Sequence, residues 1–374
     1  MHLHCEQCHN VCSVPQLSAG TRAVCPRCGH TLLTVRKNAT ERVLAFSLSA
    51  LVFLGLSLPF NFLTFRASGQ HHSIDLPSGL GVLISQDYLS LAIITGVATL
   101  LLPGIVLSCF VTMSWHFIAN TRPRYLVKVS KTINLLLPWS MAEIFLVGTL
   151  VSLIKITELA DVSVGLSFYA FIGFTIFTTL AVYYYDPNTY KTWLFSARAR
   201  SPKQISRVDA SKSIQRTWAL LVTSIVLYIP ANMLPIMHTE LMGGDSPNTI
   251  IGGVISLWES GSYPVASIIF LASVVVPVAK IGILLWLNYS VHFALDINTQ
   301  KRMSYYRFIE AIGRWSMIDV FVVAVLVALI QMGSTMSIYP GPAALAFCAV
   351  VFVTMVAAMT FDSRLIWHNW KGLS

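Results

Sequence analysis

Apolar residues along this chain gather in long runs separated by short polar stretches, the pattern of a polytopic membrane protein. Eight predominantly apolar windows fall at 43–65, 89–114, 133–154, 164–184, 217–237, 264–289, 315–332 and 338–360. Each is near the ~20 residues that a helix needs to cross a bilayer. The polar stretches alternate in charge. One set carries Arg22, Arg27, Arg36, Lys37 and Arg42, then Arg122 to Lys131, then Lys191 to Arg216, then Lys301 to Arg314, then Arg364 and Lys371. The other set carries Asp75, Asp87, Glu158, Asp161, Glu240, Asp245 and Glu259 with almost no basic residues. Basic loops stay on the cytoplasmic side, so both termini are predicted cytoplasmic. The opposite loops are too short for a folded external domain, which leaves any large partner there to another chain.

A second pattern is internal. Trp139-Ser140-Met141-Ala142-Glu143-Ile144-Phe145 matches Trp315-Ser316-Met317-Ile318-Asp319-Val320-Phe321, and Asp186 falls opposite Asp362 at the same offset of 176 residues. Pro59-Phe60-Asn61 matches Pro230-Ala231-Asn232, and Pro103 matches Pro277. Apolar composition alone does not supply matched acids and Pro-x-Asn triplets in the same order. The expected fold is therefore an all-α polytopic membrane protein of about eight transmembrane helices. They form two tandem four-helix repeats of the same orientation, unlike inverted-repeat transporters. The expected organisation is a small zinc ribbon at 1–38, a first transmembrane module at 39–195, a cytoplasmic linker at 196–215 and a second module at 216–374.

Composition agrees. The 374 residues are 55% hydrophobic and only 11% charged, with mean hydropathy +0.68, against roughly a quarter charged in soluble domains. The net charge of +9 is accounted for by the basic loops, so a nucleic-acid partner is not expected. The first residues contain no apolar core behind a basic head, so insertion is expected to rely on internal segments.

Chemistry concentrates in two places. Cys5-Glu6-Gln7-Cys8 and Cys25-Pro26-Arg27-Cys28 form two C-x2-C pairs, the ligand pattern of a closed tetrahedral Zn(II) site on Cys5, Cys8, Cys25 and Cys28. Iron in a rubredoxin-like site would use the same donors. A four-thiolate shell leaves no open position for substrate, so the expected role is structural: metal in place of a core too small to fold alone. The second place is inside the membrane. Lys280 stands in the apolar run Val274–Leu285, where a charge costs about 3 kcal/mol to insert. Ser273 precedes it by seven residues on the same helix face. Asp319 and Ser316 share a face of the seventh helix, and Thr354 lies in the eighth. Ser273, Lys280, Ser316, Asp319 and Thr354 are expected to form one polar cluster, either as a packing device or as a working site. In the first half Glu143 matches Asp319 while Val106 stands opposite Lys280. Pro103 and Pro277 are expected to interrupt the second and sixth helices. No nucleotide-binding loop, hydrolase nucleophile motif or zinc-protease motif occurs, and no catalytic residue is expected.

These features resemble the paraquat-inducible protein A family over nearly the whole chain. The resemblance is carried by the Cys pairs, Leu227-Tyr228-Ile229-Pro230-Ala231-Asn232-Met233-Leu234-Pro235-Ile236, Gly313-Arg314-Trp315-Ser316-Met317-Ile318-Asp319-Val320-Phe321 and Phe361-Asp362-Ser363-Arg364-Leu365. Glu259-Ser260-Gly261-Ser262-Tyr263-Pro264-Val265 is similar to the paraquat-inducible subgroup. The resemblance implies a non-enzymatic component of the bacterial inner membrane. It would pass phospholipid to or from a periplasmic tunnel of mammalian-cell-entry (MCE) domains. Family members generally carry a second Cys-pair ribbon before the fifth helix, and residues 196–216 contain no cysteine. The competing reading is a proton-coupled small-molecule exporter with Lys280 and Asp319 as relay; a third is a redox or metal sensor built on the ribbon.

Overall fold

The computed structural model describes residues 2–367 apart from 6, 9, 16, 19, 68–69, 86–87, 158–160, 195–206, 242–243, 294–297, 314 and 330–335. Its elements occur in one order, twice. The chain begins with the short strands β1 (His2–His4), β2 (Val11–Ser13), β3 (Arg22–Val24) and β4 (Thr31–Thr34). There follow α1 (Ala39–Leu56), the hairpin β5 (Leu63–Ala67) and β6 (Gln70–Ile74), α2 (Leu76–Ser85) and α3 (Leu89–Gly96). A π-helical turn, Val97–Leu101, joins α3 to α4 (Leu102–Ile118), and α5 (Leu126–Leu136), α6 (Ala142–Thr157), β7 (Asp161–Val164), α7 (Leu166–Tyr184) and α8 (Pro187–Leu194) complete the run. The same series returns as α9 (Arg207–Met233), β8 (Met237–Leu241), β9 (Gly244–Asn248), α10 (Ile250–Glu259), α11 (Tyr263–Phe270), a π-helical turn at Leu271–Val275, and α12 (Val276–His292). It ends with α13 (Thr299–Ile312), α14 (Ile318–Leu329), β10 (Met336–Pro340), α15 (Pro342–Thr360) and a 3-10 turn at Ser363–Trp367.

Among the described residues seven helical stretches are long and apolar enough to cross a membrane: Ala39–Leu56, Leu89–Ile118, Leu126–Ile154, Leu166–Tyr184, Ala210–Met233, Ala266–His292 and Pro342–Thr360. The window expected at 315–332 corresponds to α14, which has 12 residues and adjoins the undescribed positions 330–335. Two expectations need correction. The first apolar window was drawn to residue 65, but α1 stops at Leu56; Pro59 cannot continue the helix, and Leu63 already belongs to β5. Outside the ribbon, the all-α expectation also missed six short strands among the described residues, β5 to β10. The polar loops between these helices pair into two three-stranded antiparallel sheets, β6-β5-β7 and β10-β8-β9. Each uses a hairpin from one loop and a single strand from the next. Most of the linker expected at 196–215 lies outside the described residues.

Both matched prolines sit in the first turn of a helix, directly after a π-helical turn: Pro103 after Val97–Leu101 and Pro277 after Leu271–Val275. A proline removes one backbone N–H and crowds the preceding turn. The widened π turn takes up that mismatch, and such turns recur at functional positions.

Packing divides the chain into two compact units. Unit 1 comprises Met1–Phe60, Gly96–Glu143 and Gly165–Gln204. In it α1 packs along α4 and α7 over a core that includes Leu107, Phe110, Phe171 and Phe174. Gly173 permits the approach of α7, because a Cβ there would come within 2.8 Å of the Phe53 ring. Unit 2 comprises Asn61–Thr95, Ile144–Val164 and Ile205–Ser374. It holds both three-stranded sheets, and α9 packs along α15 and α12 around Leu221, Leu284, Leu287, Met303 and Phe361.

Candidate functional site

The amino-terminal strands form two hairpins, β1-β2 and β3-β4, too small to enclose an apolar core. Their tips instead bring four thiols together. The Sγ atoms of Cys5, Cys8, Cys25 and Cys28 all lie within 4.8 Å of one another, with Cys5 to Cys28 at 3.4 Å and Cys8 to Cys25 at 3.5 Å. A tetrahedral Zn–S bond of about 2.3 Å implies an S···S edge of roughly 3.8 Å, so the four donors fit one metal ion. Gly29 makes the second knuckle possible: it adopts φ 71°, a left-handed conformation favoured by glycine, and its N–H donates to Cys25 O at 2.8 Å.

The thiols are not electrostatically alike. Burial pushes Cys5 up to about 11 and pushes Cys8 up further. At Cys25 burial acts in the same direction, but the backbone N–H groups of Cys28 and Arg27 and the Cys8 thiol outweigh it and bring the group down to about 7. A bound dication would favour all four thiolates. Cys12, another buried thiol, lies 3.8 Å from Cys25 but outside the four-membered cluster.

Inside unit 2 Lys280 is 3% exposed. Its Nζ donates to Gly313 O at 3.5 Å, the main-chain carbonyl at the carboxy-terminal cap of α13. Helix ends expose such unpaired carbonyls and carry partial negative charge, so the ammonium sits where a helix terminus favours a cation. Sequence reasoning missed this acceptor, since a main-chain carbonyl leaves no residue-type signal. Ser273 lies within the π turn, 1% exposed, and donates to Ile269 O at 2.7 Å. Thr354 is equally buried and donates to Val351 O at 3.0 Å. Both hydroxyls are thus satisfied by their own helices. Ser316 stands in the 3-10 turn Trp315–Met317 and Asp319 in the first turn of α14; the side chains of both lie outside the described residues. The segment holding Ser273 packs against α14 and α12 against α15. A slot of about 50 Å³ leads from Met237 and Thr249 past Gly253 and Leu257 to Ser273 and Leu326.

The repeat adds a relationship that the sequence reading only partly drew. Thr99, Ser140, Glu143 and Thr178 of unit 1 occupy the positions matching Ser273, Ser316, Asp319 and Thr354, while Val106 matches Lys280. The cation alone distinguishes the second set.

Comparison with known proteins places these features in context. The family described as Paraquat-inducible protein A matches residues 40–194 and again 214–371. The chain is 38% identical to the "Intermembrane transport protein PqiA" of Escherichia coli (strain K12), covering 98% of this chain and 96% of that protein. The protein of the same name in Shigella flexneri is also 38% identical, with the same coverage. The "Lipophilic envelope-spanning tunnel protein A" of Escherichia coli (strain K12) is 29% identical over 97% of this chain and 90% of its own length. No solved structure matches.

Proposed function

The chain belongs to the paraquat-inducible protein A family, and from that premise we propose that it is the inner-membrane component of an intermembrane phospholipid transport system. In this reading it lies in a bacterial inner membrane with both termini cytoplasmic. Its eight spans form two tandem repeats, and it passes lipid to or from a periplasmic MCE-domain tunnel without a catalytic step of its own. Zinc, held by Cys5, Cys8, Cys25 and Cys28, folds the cytoplasmic ribbon.

The observation that carries the reading is Lys280. An ammonium kept in a membrane-spanning helix is costly and marks a candidate functional site; among the described residues its acceptor is the neutral Gly313 carbonyl, and a phospholipid headgroup would bring it an anionic phosphate. Ser273, Ser316, Asp319 and Thr354 complete the polar cluster that would receive the headgroup in the second module. Names of relatives that refer to intermembrane transport and an envelope-spanning tunnel support the same direction.

The deciding experiment is affinity purification of the full chain from membranes, followed by lipid crosslinking. The expected result is recovery of an MCE-domain protein together with phospholipid attached near Lys280. Recovery of neither partner nor lipid would defeat the reading.

A further inference from the structure

The ribbon does not hang free in unit 1. Its last strand, β4, is gripped at the α7–α8 corner by two side chains that bond to main-chain atoms of the strand. Asp186 Oδ2 accepts the Thr34 N–H at 3.1 Å, and Asn188 Nδ2 donates to Leu32 O at 2.6 Å. Residues 32 and 34 present these groups on one edge of the strand. Arg36, two residues on, donates to the Tyr183 carbonyl and lays its guanidinium 3.9 Å from the centre of the Tyr183 ring.

Under this roof lies a cleft of about 610 Å³, lined by Arg36, Glu41, Asp186 and Tyr190 above Phe117 and Ile118. That volume falls within the ~300–1,000 Å³ typical of ligand sites, whereas an interface that served only to dock the ribbon would gain by closing the space. The stretches Ala39–Leu56, Leu89–Ile118 and Leu166–Tyr184, long and apolar enough to cross a membrane, all end at this cleft on the ribbon side, so a bilayer around them would place its headgroups at this level. Its charges are of both signs: one guanidinium, suited to phosphate, and two carboxylates.

Asp186 is the telling group. The donors that reach it among the described residues are the Thr34 N–H, the Asn188 N–H and the Thr189 hydroxyl, all neutral. At the matching corner of unit 2, Asp362 is instead paired with Arg364 at 2.6 Å, and Arg364 occupies the position matching Asn188. The first corner therefore holds a carboxylate without the cation that the second corner supplies for itself.

We propose that this cleft binds the headgroup of a zwitterionic phospholipid from the ribbon-side leaflet, its phosphate on Arg36 and its primary ammonium between Glu41 and Asp186. The inference rests on the reading of the chain as a lipid-handling membrane protein, but needs no MCE partner.

The test uses the full metal-loaded chain in nanodiscs containing photoactivatable phosphatidylethanolamine or phosphatidylglycerol at equal mole fraction, with labelled peptides identified by mass spectrometry. Phosphatidylethanolamine is expected to label peptides within 33–41 and 184–192, and phosphatidylglycerol roughly tenfold less, the loss of one charged hydrogen bond. Glu41→Gln, at an exposed position, should lower the phosphatidylethanolamine signal by a similar factor, as should Asn188→Arg, which gives Asp186 its own cation. Equal labelling by both lipids, labelling absent from these peptides, or no response to Glu41→Gln would overturn the proposal. So would loss of the signal to excess free phosphoethanolamine, which would assign the cleft to a soluble ligand. Failure to recover an MCE-domain protein would leave this labelling unaffected, so the two readings fail separately.

Discussion

Phe145 and Phe321 meet edge to face, their ring centres 5.7 Å apart at 79°, and they are the same residue of the two repeats, 176 positions apart. The two rings join α6 to α14 within unit 2. The rest of the seam, within unit 2, is close-packed. A Cβ on Gly148 would stand 3.1 Å from the Phe321 Cβ, and the Ser152 hydroxyl reaches the Val322 carbonyl at 3.3 Å.

Bulk at this seam should therefore be punished. Gly148→Leu is expected to destabilise the chain by about 1–3 kcal/mol through overpacking, measured as a lower thermal midpoint of the detergent-solubilised protein. Phe145→Ala and Phe321→Ala should fall short of additivity by about 0.5–1.5 kcal/mol, the worth of an aromatic pair. Full additivity would mean that the rings do not interact.

The ribbon yields a stoichiometric prediction. Intact protein should contain one equivalent of metal, zinc in preference to iron, by elemental analysis, and Cys5→Ser with Cys8→Ser should remove it. If the metal takes the place of a core in the hairpins, as proposed, that variant should also lose protection from proteolysis around β3 and β4 while its membrane segments remain inserted. Less than half an equivalent of metal in the intact protein would defeat the assignment.

Orientation is open to a labelling experiment. A cysteine introduced at Ser246, in a loop without basic residues, should react with an impermeant maleimide from the periplasm of intact cells, and one at Lys203 should react only after permeabilisation. The reverse pattern would invert the charge argument.

What the sequence disclosed depended on the kind of signal each feature leaves. Four cysteines in two C-x2-C pairs point to a common ion whatever surrounds them, and the structure brings all four together. Lys280 announced itself as a charge in an apolar run. Its acceptor, Gly313 O, did not, because every residue carries a carbonyl and only the end of α13 makes this one available. The clip on β4 was hidden for the same reason: Asp186 and Asn188 recognise backbone, and Asp186 appeared in the sequence only as one half of a repeat match. Matched prolines marked the right places in the second and sixth helices, but not that a π turn would precede each. The strands went unread because hairpins of five-residue strands in polar loops carry little apolar alternation.

The decisive prediction concerns Lys280. Its insertion costs about 3 kcal/mol or more, and the first repeat builds a comparable helix with Val106 in its place, so helix formation does not require it. If the group receives a headgroup as proposed, Lys280→Met should abolish lipid transfer between donor and acceptor membranes while insertion, metal content and recovery of an MCE-domain protein match those of the wild type. Asp319→Asn should do the same, and the double variant should be as inactive as either single one. A packing role gives the opposite pattern. Each single variant would leave one charge buried and unpaired, lowering the amount of folded protein, and the double variant would recover both folding and transfer. Gly313→Ala separates the two further. A Cβ there would lie 3.6 Å from Lys280 Nζ and 2.9 Å from Ile309 O, disturbing the helix end that holds the ammonium without removing either charge. Transfer should then fall at unchanged expression, with the pH profile of the residual activity displaced from that of the wild type; an unchanged profile at full activity would show that the helix end does not position Lys280.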